Sequence, residues 1–194
     1  EKIFNDGLYY NPKNPYLMQA LANMYEKMGK INQAMKLLRS SVISNPKHAA
    51  SWVSLAQLNI RSGRVDESRF CFESAIKGDP NSYVAYQAWG VMEGKLGGNI
   101  PKARELFKKA LHISKNSAHT LQAWATLEKK QGNLERAEKL LNKALEQFPN
   151  STRALLALAE IQELRSDVNE VRNTFLSGER IAKKIGDAGF FQSW

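Results

Sequence analysis

A spacing of 34 residues runs through this chain and constrains its fold before composition is considered. Prolines stand at Pro12, Pro46, Pro80 and Pro149, with gaps of 34, 34 and 69; the last is one period of 34 and one of 35, with Lys115 in the skipped slot. Glycines keep a second phase at Gly29, Gly63, Gly97 or Gly98, and Gly132, with Ser166 in the next slot. Small residues keep a third phase at Gly7, Ser41, Ala75, Ala110, Ala144 and Gly178. A bulky residue stands three before each: Phe4, Leu38, Phe72, Phe107, Leu141 and Phe175. Earlier in each unit Leu21, Leu55, Trp89, Trp124 and Leu158 precede Ala22, Ala56, Gly90, Ala125 and Ala159. Columns held at one period are the signature of a repeat architecture.

Each unit reads as two helices. Apolar residues recur at three and four, as in Trp52, Leu55, Ala56 and then Phe72, Ala75, Ile76. The glycine column breaks the pair, and the proline column ends the second helix and opens the next unit. One hairpin cannot bury its apolar face alone, so the units must stack. The expected fold is all-α, built of stacked antiparallel helix pairs. The units fall at 15–48, 49–82, 83–117, 118–151 and 152–185. The third holds one extra residue at Gly97-Gly98-Asn99-Ile100-Pro101, where Asn99 can cap the second helix and Pro101 can sit in its first turn. Residues 1–14 read as the second helix of a preceding unit, and 186–194 as the start of a further one. The expectation is one array, cut from a longer one.

Composition excludes several classes. The chain has 194 residues, 43% apolar and 24% charged, which argues against disorder. It holds no apolar run of membrane-spanning length and no segment that reads as a signal peptide. The single cysteine, Cys71, cannot form an internal disulfide and fits a reducing compartment. The net charge of +9 favours an acidic partner.

The columns resemble the tetratricopeptide repeat and its relative, the half-a-tetratricopeptide (HAT) repeat. Ala20-Leu21-Ala22-Asn23-Met24-Tyr25, followed by Gly29 and Ala34, is similar to the former. Trp89-Gly90-Val91-Met92-Glu93 before Ala103-Arg104-Glu105-Leu106-Phe107 resembles the latter, as does Trp124-Ala125-Thr126-Leu127-Glu128 before Leu134-Glu135-Arg136-Ala137. The mixture looks most like the chloroplast HAT proteins that bind and stabilise messenger RNA. The resemblance implies a right-handed α-solenoid with first helices on its concave face. It also implies a plastid location, with the nucleus as alternative. The HAT pattern further implies that Arg104 pairs with Glu93 of its own unit.

On the implied concave face, one column runs Lys27, Arg61, Lys95 and Lys130, with Lys129 beside it and Arg165 at the end. Amides interleave at Gln19, Asn23, Gln57, Gln87 and Gln122. Cations neutralise successive phosphates, amides hydrogen-bond base edges, and Tyr16, Tyr86 or His119 could stack on bases. This set is the candidate surface for single-stranded RNA, held unpaired and shielded from exonucleases. Between Lys95 and Lys143 the charge is +7, whereas Glu160, Glu163, Asp167, Glu170 and Glu179 make the last unit acidic, so contact should centre on the third and fourth units. The same columns also suit ordinary helix solvation, an acidic peptide, or a scaffold that meets proteins through this face or the repeat ends.

No catalytic or metal chemistry is expected. His48, His112 and His119 lack ligand companions at helical spacing. Cys71 beside Phe70 and Phe72 reads as core, and Trp52, Trp89 and Trp124 as packing residues. Gly94, Gly97 and Gly98 do not form a phosphate loop. No cofactor and no small-molecule substrate are implied.

Overall fold

The computed structural model describes residues 2–165, 168–187 and 189–190. These are helical hairpins throughout: α1 (Lys2–Tyr10), α2 (Pro15–Lys27), α3 (Ile31–Ser44), α4 (Ala49–Arg61), α5 (Val65–Gly78), α6 (Tyr83–Met92), α7 (Ile100–Ile113), α8 (Ala118–Lys130), α9 (Leu134–Gln147), α10 (Thr152–Leu164) and α11 (Val168–Ile185). The fold is thus the all-α class of stacked antiparallel helix pairs expected from the columns. The chain divides into two compact units, one ending at Ile113 and the other beginning at Ser114. Glu1, Ser166, Asp167, Ala188 and residues 191–194 lie outside the described residues.

In the first unit, α2 pairs with α3, α4 with α5, and α6 with α7. The small-residue columns let the backbones approach. Ala22, Ala34, Ala56, Ala75 and Ala85 are buried, and Leu38 and Phe72 fill the space between them. The Phe72 and Trp89 rings stack with centroids 6.1 Å apart. Ser41 occupies a small slot between α3 and α4, where its buried hydroxyl lies 2.7 Å from that of Ser51 and 3.2 Å from the Pro15 carbonyl oxygen. The Ser51 hydroxyl also lies 2.7 Å from His48 Nδ1. Burial lowers the His48 pKa below the ordinary value.

Two local devices set the hairpin turns. The glycine column supplies left-handed backbone, with φ of 75° at Gly29, 73° at Gly63 and 75° at Gly132, where a Cβ would be strained. The third hairpin departs from this. After α6 the chain widens into a π-turn over Glu93–Gly97, and the left-handed residue moves to Gly98, φ 65°. This turn absorbs the extra residue, and Asn99 Oδ1 then accepts from the Lys102 amide at 3.1 Å, the expected cap of α7. Gly97 is needed there because a Cβ would stand 1.9 Å from Glu93 Oε2.

In the second unit, α8 pairs with α9 and α10 with α11. Ala125, Ala137, Leu141, Ala154, Leu158 and Ile161 form its core. Beyond α11, Thr152 donates to Asp187 Oδ2 at 2.7 Å. Phe190 is buried, stacked on Phe175 with centroids 5.4 Å apart, and it rests against Gly178 of the small column.

Cys71 is buried, and burial pushes its thiol pKa up to about 11, so it stays a neutral core thiol. Trp89 and Trp124 are buried, but Trp52 is only half-buried. Its indole N–H donates to the Pro46 carbonyl at 2.9 Å, and its ring meets the exposed Phe70 edge-on. No described helix is long and apolar enough to cross a membrane.

Candidate functional site

The first helices α2 and α4 lie side by side one repeat apart. Asn23, Glu26 and Lys27 of α2 face Ser54, Gln57 and Arg61 of α4 across a cavity of about 380 Å3. Asn23, Lys27, Gln57 and Arg61 of the sequence-derived set therefore meet in one groove. Lys27 and Arg61 close the last turns of their helices, where cations complement the helix dipole. Arg61 is not a free cation: its Nη1 lies 2.6 Å from Glu26 Oε1. Gln19 is also engaged, donating from Nε2 to the Ala50 carbonyl at 3.3 Å and to Ser54 Oγ at 3.2 Å. It thus ties α2 to α4. Gln87 is half-buried on α6, while Lys95 stands exposed in the π-turn. Tyr16 meets His48 edge-on, with centroids 4.5 Å apart, and Tyr86 packs against the core.

The second unit repeats these positions with different partners. Gln122 Nε2 donates to Ser151 Oγ at 3.1 Å, tying α8 to the start of α10. Lys129 pairs with Glu160 at 2.5 Å, and Arg165 pairs with Glu138 on α9. Lys130 and His119 are exposed. Three of the six cations thus carry a carboxylate partner that the column reading did not include. The signal for finding them was offset: Glu26 to Arg61 spans 35 residues and Lys129 to Glu160 spans 31, each near one repeat.

The Arg104–Glu93 pairing is corrected. Glu93 is buried, and its two carboxylate oxygens accept from Arg69 Nε at 2.8 Å and Nη2 at 3.0 Å. Arg69 belongs to the preceding hairpin, so the fork joins α5 to the end of α6. The geometric reason is reach: the second helix of one hairpin packs against the first helix of the next. Trp89 Nε1 donates to Glu93 Oε1 at 2.9 Å, and Lys102 lies over the Trp89 ring. The Arg69 hydrogen bond holds the Glu93 carboxyl below its ordinary range against the opposing effect of burial, and the Arg69 pKa rises in turn. In the second unit Glu128, also buried, accepts from Trp124 Nε1 at 2.8 Å and Asn133 Nδ2 at 2.9 Å, with Arg136 over the Trp124 ring.

Among the described residues, no group of three or more His, Cys, Asp or Glu is placed to hold a metal ion.

Comparison with known proteins gives the same picture of repeats. Residues 118–161 match the tetratricopeptide repeat model, and residues 2–75 match the model for anaphase-promoting complex, cyclosome, subunit 3. No curated protein matches the chain. Among solved structures, yeast Tom70 is similar with a TM-score of 0.80 and 20% identity over 98% of this chain and 40% of that one. PilW, described as a widely conserved type IV pilus biogenesis factor, gives 0.75 and 19% identity over 92% of this chain and 90% of its own. YrrB, described as a TPR protein with an unusual peptide-binding site, gives 0.62 and 13% identity over 96% and 94%. These matches support tetratricopeptide-type repeats. They do not single out the HAT subgroup or its chloroplast members.

Proposed function

We propose, on the premise that these are tetratricopeptide-type repeats, that the chain is a non-catalytic protein-interaction scaffold. Its first-helix groove takes an extended acidic peptide. The observation that carries this reading is the α2/α4 groove, where amides and cations recur one repeat apart. Asn23 and Gln57 each offer a donor and an acceptor, which suits the unpaired backbone of an extended peptide. Lys27 is exposed and suits a carboxylate. The RNA reading has less support. A polyphosphate laid along the ladder beyond the α2/α4 groove would also meet Glu138 and Glu160, each already held by a ladder cation. Only Lys27, Lys95 and Lys130 of the ladder lack an ion pair among the described residues.

Fluorescence anisotropy tests this with an acidic peptide, its amidated neutral twin and single-stranded RNA across a salt series. The acidic peptide should bind. Asn23→Ala with Gln57→Ala should weaken it at least tenfold, and Lys27→Ala should flatten its salt response. Tighter binding of the RNA, with a log–log salt slope of about −0.7 per phosphate contacted, would overturn the peptide reading in favour of a phosphate track.

A further inference from the structure

We infer that the basic pocket between α3 and Arg64, the residue that precedes α5, is a second binding site, one for a phosphate monoester carried on a peptide segment of a partner. It is independent of the α2/α4 groove and uses none of its residues. The pocket measures about 340 Å3, and its lining includes Lys36, Arg39 and Arg64, the Ser40 hydroxyl, and Met35 and Ile43 as an apolar wall. No carboxylate lines it among the described residues.

Arg64 shows what the pocket lacks. Its Nε is buried and has no acceptor, while Nη2 reaches only the Met35 sulfur at 3.1 Å. A thioether is a weak acceptor. The guanidinium is therefore held without a strong partner, and turning it towards an arriving oxyanion breaks nothing strong. Arginine and a dianionic phosphate form charge-assisted bonds about twice as strong as neutral ones.

Sequence around the pocket makes the same point. Helices α1, α5, α7, α9 and α11 each carry at least one Asp or Glu, but α3 carries none. At the Lys36 position the following hairpins hold Phe70, Glu105 and Lys139; at the Arg39 position they hold Glu73, Lys108 and Asn142. Stacking of the repeats thus does not require a cation at either position. Glu67 on α5 acts, with Arg39, on the nearby Cys71, but it stays out of the lining. The source is read as a peptide because the pocket exceeds a phosphate group. Its lining runs past the cations to the exposed Ile43, which leaves room for an apolar neighbour of the phosphorylated residue.

The test is anisotropy of the full chain with a labelled peptide carrying one phosphoserine between leucines, its serine twin, and inorganic phosphate. The phosphopeptide should bind at least tenfold tighter than either control. Lys36→Ala with Arg39→Ala should weaken it at least tenfold without moving the melting temperature, since both side chains are exposed. Lys27→Ala with Asn23→Ala, in the other groove, should leave it unchanged. Equal binding to the Lys36/Arg39 variant and the parent would overturn the site. Equal affinity for inorganic phosphate would overturn the peptide source. Displacement by single-stranded RNA below the concentration of competing phosphopeptide would overturn it in favour of a nucleic-acid phosphate.

Discussion

The third and fourth hairpins present the same tryptophan and glutamate four residues apart towards the end of a first helix, and their turns close around the carboxylate differently. In both, the indole donates to a buried carboxylate, Trp89 to Glu93 and Trp124 to Glu128. At the following turn the fourth hairpin supplies a side-chain donor, Asn133, to Glu128. The third has Gly98 at the corresponding offset, and its widened turn lays the bare backbone of Gly97 against Glu93 instead. Both carboxylates also face an arginine: Glu93 takes the fork of Arg69 from the preceding hairpin, and Glu128 lies 3.6 Å from Arg136 Nε of its own hairpin. One sequence pattern thus serves as a seat for a buried negative charge beside an arginine, and the local turn decides whether a side chain or bare backbone closes it.

The sharpest way to break this comparison is to remove the donors. Arg69→Ala leaves the Glu93 carboxylate buried without its cation and should cost about 3 kcal/mol, the low end of the buried-pair range because Arg69 is about a third exposed. Urea unfolding measures it; a loss under about 1 kcal/mol would mean that Trp89 alone holds the carboxylate. The same substitution should change the acid limb. The folded-state pKa of Glu93 lies below its unfolded value, so the contribution is fully present above about pH 4.5 and is lost as pH falls through the folded pKa. Stability of the parent should therefore drop more steeply than that of Arg69→Ala on acidification.

Gly97→Ala should follow, at about 1–3 kcal/mol, because the new methyl drives the carboxylate off the fork. Gly132→Ala, in the fourth hairpin, meets no neighbour and should cost only the backbone strain, about 1 kcal/mol. Equal costs in thermal melts would show that the close approach at Gly97 relaxes freely. Asn133→Ala should cost about 1.5 kcal/mol, the value of one hydrogen bond to a charged group. The smallest effects belong to the outward ion pairs. Arg61→Ala and Arg165→Ala should each change stability by less than about 1 kcal/mol, since both guanidinium groups stand in contact with solvent. A larger change would place these pairs among the structural latches.

The fold was legible because period is a property of the one-dimensional chain. Pro46 and Pro80, Gly29 and Gly63, and Ala75 and Ala110 mark ends, turns and close contacts at fixed places. The cations of the candidate groove were equally visible. Their neutralising partners were not, because Glu26, Glu138 and Glu160 depend on the stagger between neighbouring helices. That stagger adds or subtracts a few residues from the period. The same stagger explains the Glu93 correction: a reading confined to one unit assigned Arg104, whereas the packed neighbour is Arg69 from the unit before. Gln19 and Gln122 looked like free amides, but the start of the next first helix lies within their reach.

The widened turn at Glu93–Gly97 carries one more consequence. An inserted residue in a helix rotates everything after it by about 100°, which would turn a buried face outward. Here Ala103, Phe107 and Ala110 after the insertion are buried, as Ser68, Phe72 and Ala75 are one hairpin earlier. The turn behaves like a dislocation healed within a single loop of backbone: the added length is taken up where the chain reverses, and the phase of the following columns survives. Such a chain can change its length at a hairpin tip while its packing code downstream stays intact.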